Sequence, residues 1–117
     1  MKRLLLTTAV LTCIAGAAMA EMSKGADISA AISGNSIQGN MDASGPYAEF
    51  YAADGTVFGK DYKAAWSVEG DQMCWVYEGS PKDCWGAEIK GDQVRWIKDD
   101  KPQGSGTIVS GNPNKFE

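Results

Sequence analysis

Short stretches rich in Trp, Tyr, Val and Ile recur along the chain after Asn35, separated by turn-forming dipeptides such as Asp54-Gly55, Gly70-Asp71 and Gly91-Asp92. The turns return about every ten residues, which is typical of an antiparallel meander. The pattern predicts a mainly β fold with about eight short strands, as a curved sheet or a small barrel. The predicted strands span residues 36–41, 47–52, 56–61, 64–69, 72–77, 84–90, 93–98 and 104–109.

The segment before the strands, residues 23–33, has a different period. Ile28, Ala31 and Ile32 fall at i, i+3 and i+4, which places them on one face of a helix. Ser23 is a candidate N-cap. We therefore expect a short N-terminal helix that packs against the sheet.

Two Gly-Asp turns predict the register of the central strands. A two-residue Gly-X loop suits a type II′ turn, in which the first central residue has positive φ. With Gly70-Asp71 as such a loop, Trp66 lies opposite Trp75. With Gly91-Asp92 as a second loop, Glu88 lies opposite Arg95 and can form a cross-strand ion pair.

The cysteines connect these two hairpins. Pairing Cys74 with Cys84 aligns the apolar positions of all four strands on one side of the sheet, and a slip of one residue would destroy that agreement. The predicted disulfide then lies on the opposite side. The predicted apolar side consists of Trp66, Val68, Met73, Trp75, Trp85, Ala87, Ile89, Val94 and Trp96.

All four tryptophans fall on this apolar side, which favours a role in the core. The alternative is a functional one, because indole rings can form flat platforms that stack on sugar rings. Solvent exposure distinguishes the two.

Residues 1–20 have the layout of a cleavable signal peptide. Lys2 and Arg3 precede an apolar run too short for a membrane span, and Ala18-Met19-Ala20 predicts cleavage before Glu21. Thr12 disfavours the alternative of lipid attachment at Cys13. The intact mass of the exported protein tests this expectation. Residues 21–117 then form a single domain with Cys74 and Cys84 as its only cysteines, as a disulfide outside the cytoplasm requires.

Charge restricts the partners. Loss of Lys2 and Arg3 leaves nine basic residues against fifteen acidic ones, a net charge of −6. Nucleic acids and anionic membrane surfaces select basic proteins, so neither is an expected partner. We expect a monomer without a membrane anchor after cleavage.

Catalytic chemistry has little support in the sequence. The chain contains no histidine, so the usual general base and metal ligand are missing, and Ser67 and Ser80 have no histidine to activate them. The carboxylates of Glu49, Asp61 and Glu69 show no pairing in the sequence pattern. We predict no catalytic residues, no metal and no cofactor, and the ligand-binding residues stay unknown.

Several motifs resemble those of a group of small exported bacterial proteins of unknown function. The resemblance implies a periplasmic, disulfide-bonded β domain and no particular activity. The motifs are Ser33-Gly34-Asn35-Ser36-Ile37-x-Gly39, Tyr47-x-x-Phe50-Tyr51, Asp54-Gly55-Thr56-Val57-x-Gly59, Trp66-x-Val68-x-Gly70-Asp71-x-x-Cys74-Trp75, Cys84-Trp85 and Gly111-Asn112.

Two functional classes follow from these observations. The expected one is a non-enzymatic binding or interaction module of the periplasm, which acts on a protein, a cell-wall fragment or a small ligand. The alternative is a small periplasmic hydrolase or isomerase that uses carboxylates. The missing histidine and site motifs favour the first class.

Overall fold

A computed structural model describes residues 21–117 as one short helix and eight antiparallel strands that close into a barrel. Consecutive strands pair, and the first strand also pairs with the last. The elements are α1 (Gly25–Ile32), β1 (Asn35–Met41), β2 (Gly45–Tyr51), β3 (Thr56–Gly59), β4 (Tyr62–Glu69), β5 (Gln72–Tyr77), β6 (Asp83–Lys90), β7 (Gln93–Lys98) and β8 (Lys101–Ser110).

The mainly β meander is therefore confirmed, and the barrel is the form it takes. The signal-peptide prediction, residues 1–20, and the alternative at Cys13 lie outside the described residues. Within residues 21–117, no helix has both the length and the apolar character needed to cross a membrane.

The predicted register of β4 to β7 is also confirmed. Trp66 lies opposite Trp75, Cys74 opposite Cys84, and Glu88 opposite Arg95. In the two Gly-Asp turns only the glycines have positive φ, 58° at Gly70 and 60° at Gly91, as a type II′ turn requires.

The predicted cap of α1 is wrong. Lys24 occupies the N-cap position and makes no side-chain capping bond. Instead, the Gly25 N–H donates to Asp71 Oδ1 at 2.8 Å, so the β4–β5 turn satisfies the helix end. Ile28 and Ile32 are fully buried in the core. The helix thus lies at the barrel end that carries this turn.

Ser23 has a different role from the predicted one. The β5–β6 ladder contains only three residue pairs, which leaves the second half of β6 without a strand on that side. The Ser23 N–H donates to the Ala87 carbonyl at 2.7 Å, and the Ile89 N–H donates to Ser23 Oγ at 2.9 Å. The segment before α1 therefore satisfies backbone groups that the ladder does not reach.

The last strand begins earlier than predicted. We expected it to begin at residue 104, but the turn before it is Asp99-Asp100, where both residues have positive φ, and Lys101 already belongs to β8. The pairing shifts between Trp96 and Ile97, which marks a bulge in the β7–β8 ladder. Pro102 pairs with Ile97 beside this irregularity, a position at which a strand tolerates proline.

A disulfide joins Cys74 to Cys84, as predicted. Cys74 is buried and Cys84 is half-buried. The bond connects β5 to β6 across the ladder of three pairs, so it reinforces one of the shortest seams in the barrel.

Cys84→Ala should lower the free energy of unfolding by about 2.5–3 kcal/mol, because the bond restricts the unfolded chain. Urea denaturation measures the decrease in the free energy of unfolding. Wild-type protein with the disulfide reduced should show a similar decrease. Ser67→Ala, an exposed change opposite Cys74, is the matched control. Unchanged stability of both the variant and the reduced protein would contradict a stabilising disulfide.

Candidate functional site

A cavity of about 330 Å³ lies at the barrel end opposite α1, which we call the mouth. Met41 and Ser44 from the β1–β2 hairpin form part of its edge, and the carboxylates of Glu49 and Asp83 also line it. The remaining lining residues are aromatic: Tyr47, Tyr51, Tyr62, Trp75, Tyr77, Trp85 and Trp96. Such a concave, mainly apolar site with a few convergent polar groups is typical of small-ligand pockets.

Strand β2 brings a charge into the barrel. Successive side chains of a strand point to opposite faces, so Tyr47, Glu49 and Tyr51 all lie on the inner face. Glu49 is only 4% exposed. A buried carboxylate is costly unless donors replace its lost water.

Three tyrosine hydroxyls supply these donors. Tyr51 donates to Glu49 Oε1 at 2.8 Å, and Tyr62 donates to Oε2 at 2.7 Å. The Tyr77 hydroxyl is shared between the two oxygens, at 3.1 Å from Oε1 and 2.8 Å from Oε2. Hydrogen bonds to an ionised acceptor are stronger than neutral ones, so this cluster fixes the four side chains together.

Tyr62 reaches Glu49 across the short strand β3. The β2–β3 ladder contains only two residue pairs, and β3 ends at Gly59, which pairs with Tyr62. A Cβ atom added at Gly59 would overlap the Tyr62 ring. The absence of a side chain at this position therefore lets the phenol lie across the strand.

The environment raises the pKa of every tyrosine in the chain, and all four lie in this site. For Tyr51, Tyr62 and Tyr77 the largest cause is burial, which is complete for Tyr51 and partial for Tyr62 and Tyr77, and the negative charge of Glu49 adds to it. Burial also raises the pKa of Tyr47, against the smaller opposing effect of its bond from Trp96. The phenols therefore stay protonated donors at neutral pH and cannot act as bases.

The other polar groups of the mouth form two smaller networks. Trp96 Nε1 donates to the Tyr47 hydroxyl at 2.9 Å, which donates in turn to the Ser105 carbonyl at 3.0 Å. At the rim, Trp85 Nε1 donates to Asp83 Oδ2 at 2.9 Å.

Lys98 completes the rim network. Its ammonium group forms an ion pair with Asp83 Oδ1 and lies 4.8 Å from the centre of the Trp85 ring. Both contacts are typical of a bound cation, one with a carboxylate and one with an aromatic face.

Trp75 is the exception among the tryptophans. Its Nε1 is buried without an acceptor in hydrogen-bond geometry, although the indole N–H lies close enough to the Tyr51 hydroxyl to lower that pKa slightly. The ring packs edge-on against Trp96, with centroids 5.0 Å apart.

The tryptophans differ in burial and in contact with the cavity. Trp66, Trp75 and Trp96 are buried, which agrees with the core interpretation, whereas Trp85 is half-buried at the rim. Trp75, Trp85 and Trp96 nevertheless line the cavity, and Trp66 does not. The same rings thus form the upper layer of the core and the inner wall of the pocket.

Of the carboxylates considered from the sequence, only Glu49 lies in the pocket. Asp61 and Glu69 are exposed elsewhere, as is Ser67. Within residues 21–117, one group with the spacing of metal ligands is found, Glu69 with Cys74 and Cys84. Both sulfurs are consumed by the disulfide, so this group does not offer the thiolates that a metal needs.

The tyrosine cluster and Asp83 are absent from the sequence-based prediction. A signal for part of it exists, because Tyr47-x-Glu49-x-Tyr51 alternates with the period of a strand and places a charge on an otherwise aromatic face. Tyr62 and Tyr77 come from strands distant in the sequence, and their approach to Glu49 requires the closed barrel.

Comparison of the chain with protein-family models, curated protein sequences and solved structures finds no match.

Alkaline titration tests the tyrosine cluster. An unfolded tyrosine has a pKa of about 10, whereas all four native values are raised. Above this pH only the unfolded state loses these protons, so stability should fall as the pH rises. Tyrosinate absorbance should therefore appear together with unfolding, as followed by near-ultraviolet circular dichroism.

Glu49→Gln removes the charge that helps to raise the tyrosine pKa values. Tyrosinate should therefore form at lower pH in this variant than in the wild type. Glu69→Gln, which neutralises an exposed carboxylate outside the pocket, is the matched control and should titrate like the wild type. Tyrosinate formation near pH 10 in a still folded wild-type protein would contradict the cluster.

Proposed function

We propose that this protein is a periplasmic binding module that takes a small ligand into the mouth of its barrel without chemical conversion. The observation that carries the proposal is the aromatic cavity of about 330 Å³ around a buried carboxylate. This volume lies at the lower end of the range of about 300–1,000 Å³ that is usual for ligand pockets. A small molecule with an apolar body suits it better than a long polymer.

The proposed compartment rests on separate observations. The disulfide between Cys74 and Cys84 is of the kind that persists in oxidising compartments. The layout of residues 1–20, with the basic pair Lys2-Arg3 before an apolar run, supports export through a signal peptide. Together they support a location in the periplasm.

Pre-organisation supports a binding role. The cluster around Glu49 and the chain from Trp96 through Tyr47 to Ser105 hold the polar groups of the pocket in place. A site that is already ordered loses little conformational freedom when a ligand binds, which favours affinity.

A carboxylate-dependent hydrolase or isomerase is the second candidate, because Glu49 and Asp83 line one cavity. The contacts of both carboxylates disfavour a hydrolase or isomerase function. Glu49 already accepts from three hydroxyls, and Asp83 is engaged by Trp85 and Lys98. A general base must be able to reach a substrate proton, and here the oxygens of both carboxylates are already occupied by hydrogen bonds or an ion pair.

A titration followed by ¹⁵N–¹H NMR tests the binding role. The chain has four indole N–H groups, one per tryptophan. Neutral and charged single-ring aromatic compounds at millimolar concentration should shift the indole signals of the cavity-lining Trp75, Trp85 and Trp96. The signal of Trp66, which lies outside the cavity, should stay in place and serve as an internal reference.

Ser44→Trp should weaken this binding because it places a large ring at the exposed edge of the cavity. Ser110→Trp makes the same change at an exposed site at the other end of the barrel and should leave binding intact. Equal shifts in both variants, or no shift with any compound, would refute the proposed site.

A further inference from the structure

We infer that the ligand of this pocket is an organic cation, a primary ammonium or guanidinium group attached to an apolar body. The inference rests on the proposed function and adds the chemical class of the ligand. It follows from three properties of the mouth: the direction of its hydrogen bonds, its unbalanced charge, and a cation site that the protein already fills with its own lysine.

The hydrogen bonds of the pocket leave acceptors facing the cavity. A phenol has one hydrogen to donate, and those of Tyr51, Tyr62 and Tyr77 are all given to Glu49. The Tyr47 hydrogen is given to the Ser105 carbonyl. Tyr51 is buried, and the Tyr47 oxygen already accepts from Trp96. The acceptors left for a ligand are therefore the oxygen lone pairs of Tyr62 and Tyr77, whose side chains are partly exposed.

The indole donors of the pocket are equally unavailable. Those of Trp85 and Trp96 are bonded to Asp83 and to the Tyr47 oxygen. Trp75 Nε1 has no acceptor but is itself buried, so a ligand cannot reach it. Ser44 on the exposed edge keeps a free hydroxyl, which can donate or accept. Past Ser44 the pocket offers no free donor that a ligand can reach, so a ligand bound there must bring N–H or O–H donors of its own.

The charge of Glu49 has no cationic partner. Among residues 21–117, the ion pairs found join Lys82 to Glu69, Arg95 to Glu88 and Lys98 to Asp83, and none involves Glu49. Its partners are neutral hydroxyls, which spread the charge without cancelling it. A positive group at the tyrosine oxygens would compensate this charge, and the chain's net charge of −6 over the same residues attracts cations from a distance.

Lys98 shows how the mouth holds an ammonium group. Its Nζ is paired with Asp83 and lies 4.8 Å from the centre of the Trp85 ring. Aromatic faces recognise ammonium ligands through cation–π contacts, and a carboxylate adds a charge-assisted hydrogen bond. Glu49 with the rings around it repeats the combination deeper in the cavity, where no lysine or arginine of the described chain reaches.

Protonation keeps this arrangement in place. Burial and the charge of Glu49 raise the pKa of Tyr62 and Tyr77, so both hydroxyls keep their hydrogens on the carboxylate well above neutral pH. The walls therefore stay acceptors over the whole range in which organic ammonium groups are charged.

Three probes of similar shape distinguish the effect of ligand charge from that of ligand shape: 2-phenylethylammonium, 2-phenylethanol and 3-phenylpropionate. Each is titrated into the oxidised protein at neutral pH, and calorimetry measures its affinity. The ammonium should bind about ten-fold more tightly than the alcohol, and the carboxylate most weakly. Equal or tighter binding of the alcohol or the carboxylate would overturn the cationic ligand and leave the binding function intact. Failure of all three to bind would refute the binding function itself.

Two variants test which carboxylate causes the preference for the ammonium probe over the alcohol. Glu49→Gln should reduce the ratio between ammonium and alcohol affinities to near one, while Asp92→Asn, the same change of charge in an exposed turn at the helix end, should leave it unchanged. If Glu49→Gln does not fold, Asp83→Asn at the rim should reduce the ratio partially. An unchanged ratio of ammonium to alcohol affinity in a folded Glu49→Gln protein would contradict the assignment of an organic cation as the ligand. If only Asp83→Asn folds, an unchanged ratio in that variant would contradict it in the same way.

Discussion

The Glu49 carboxylate lies inside the barrel, and three tyrosine hydroxyls on strands β2, β4 and β5 donate to it. An isolated charge in this position would cost several kcal/mol. The donors are needed for the charge to be buried, and the charge orients the donors. The mouth of the barrel depends on this mutual requirement, because the same hydroxyls form the walls of the pocket.

The strand lengths explain why the cluster forms where it does. An eight-stranded barrel is just wide enough to be filled by side chains or to hold one small ligand. In this barrel one end of the interior is filled by side chains, and the other end holds a cavity of ligand size. At the helix end, Ile28 and Ile32 belong to the buried core. At the other end, β3 has only four residues and Gly59 leaves space for the Tyr62 ring.

Local patterns were sufficient to predict much of the fold. The turns and Cys74 with Cys84 predicted the pairing of β4 to β7, because hairpin registers depend on neighbours in the sequence. Closure of β1 onto β8 and the capping of α1 by Asp71 join distant segments, so no local pattern reveals them. The pocket escaped prediction for the same reason, although the alternation of Tyr47, Glu49 and Tyr51 is a local signal that these three lining residues share one face.

A double-mutant cycle tests most directly whether Glu49 organises the mouth. Glu49→Gln and Tyr77→Phe, alone and combined, are compared by urea denaturation, with Tyr47→Phe as the reference since its hydroxyl donates to Ser105 and not to Glu49. If Glu49 organises the mouth, the Tyr77 cycle should show a coupling of about 1–3 kcal/mol and the Tyr47 cycle less than about 0.5 kcal/mol. Additive effects in both cycles would contradict this role of Glu49.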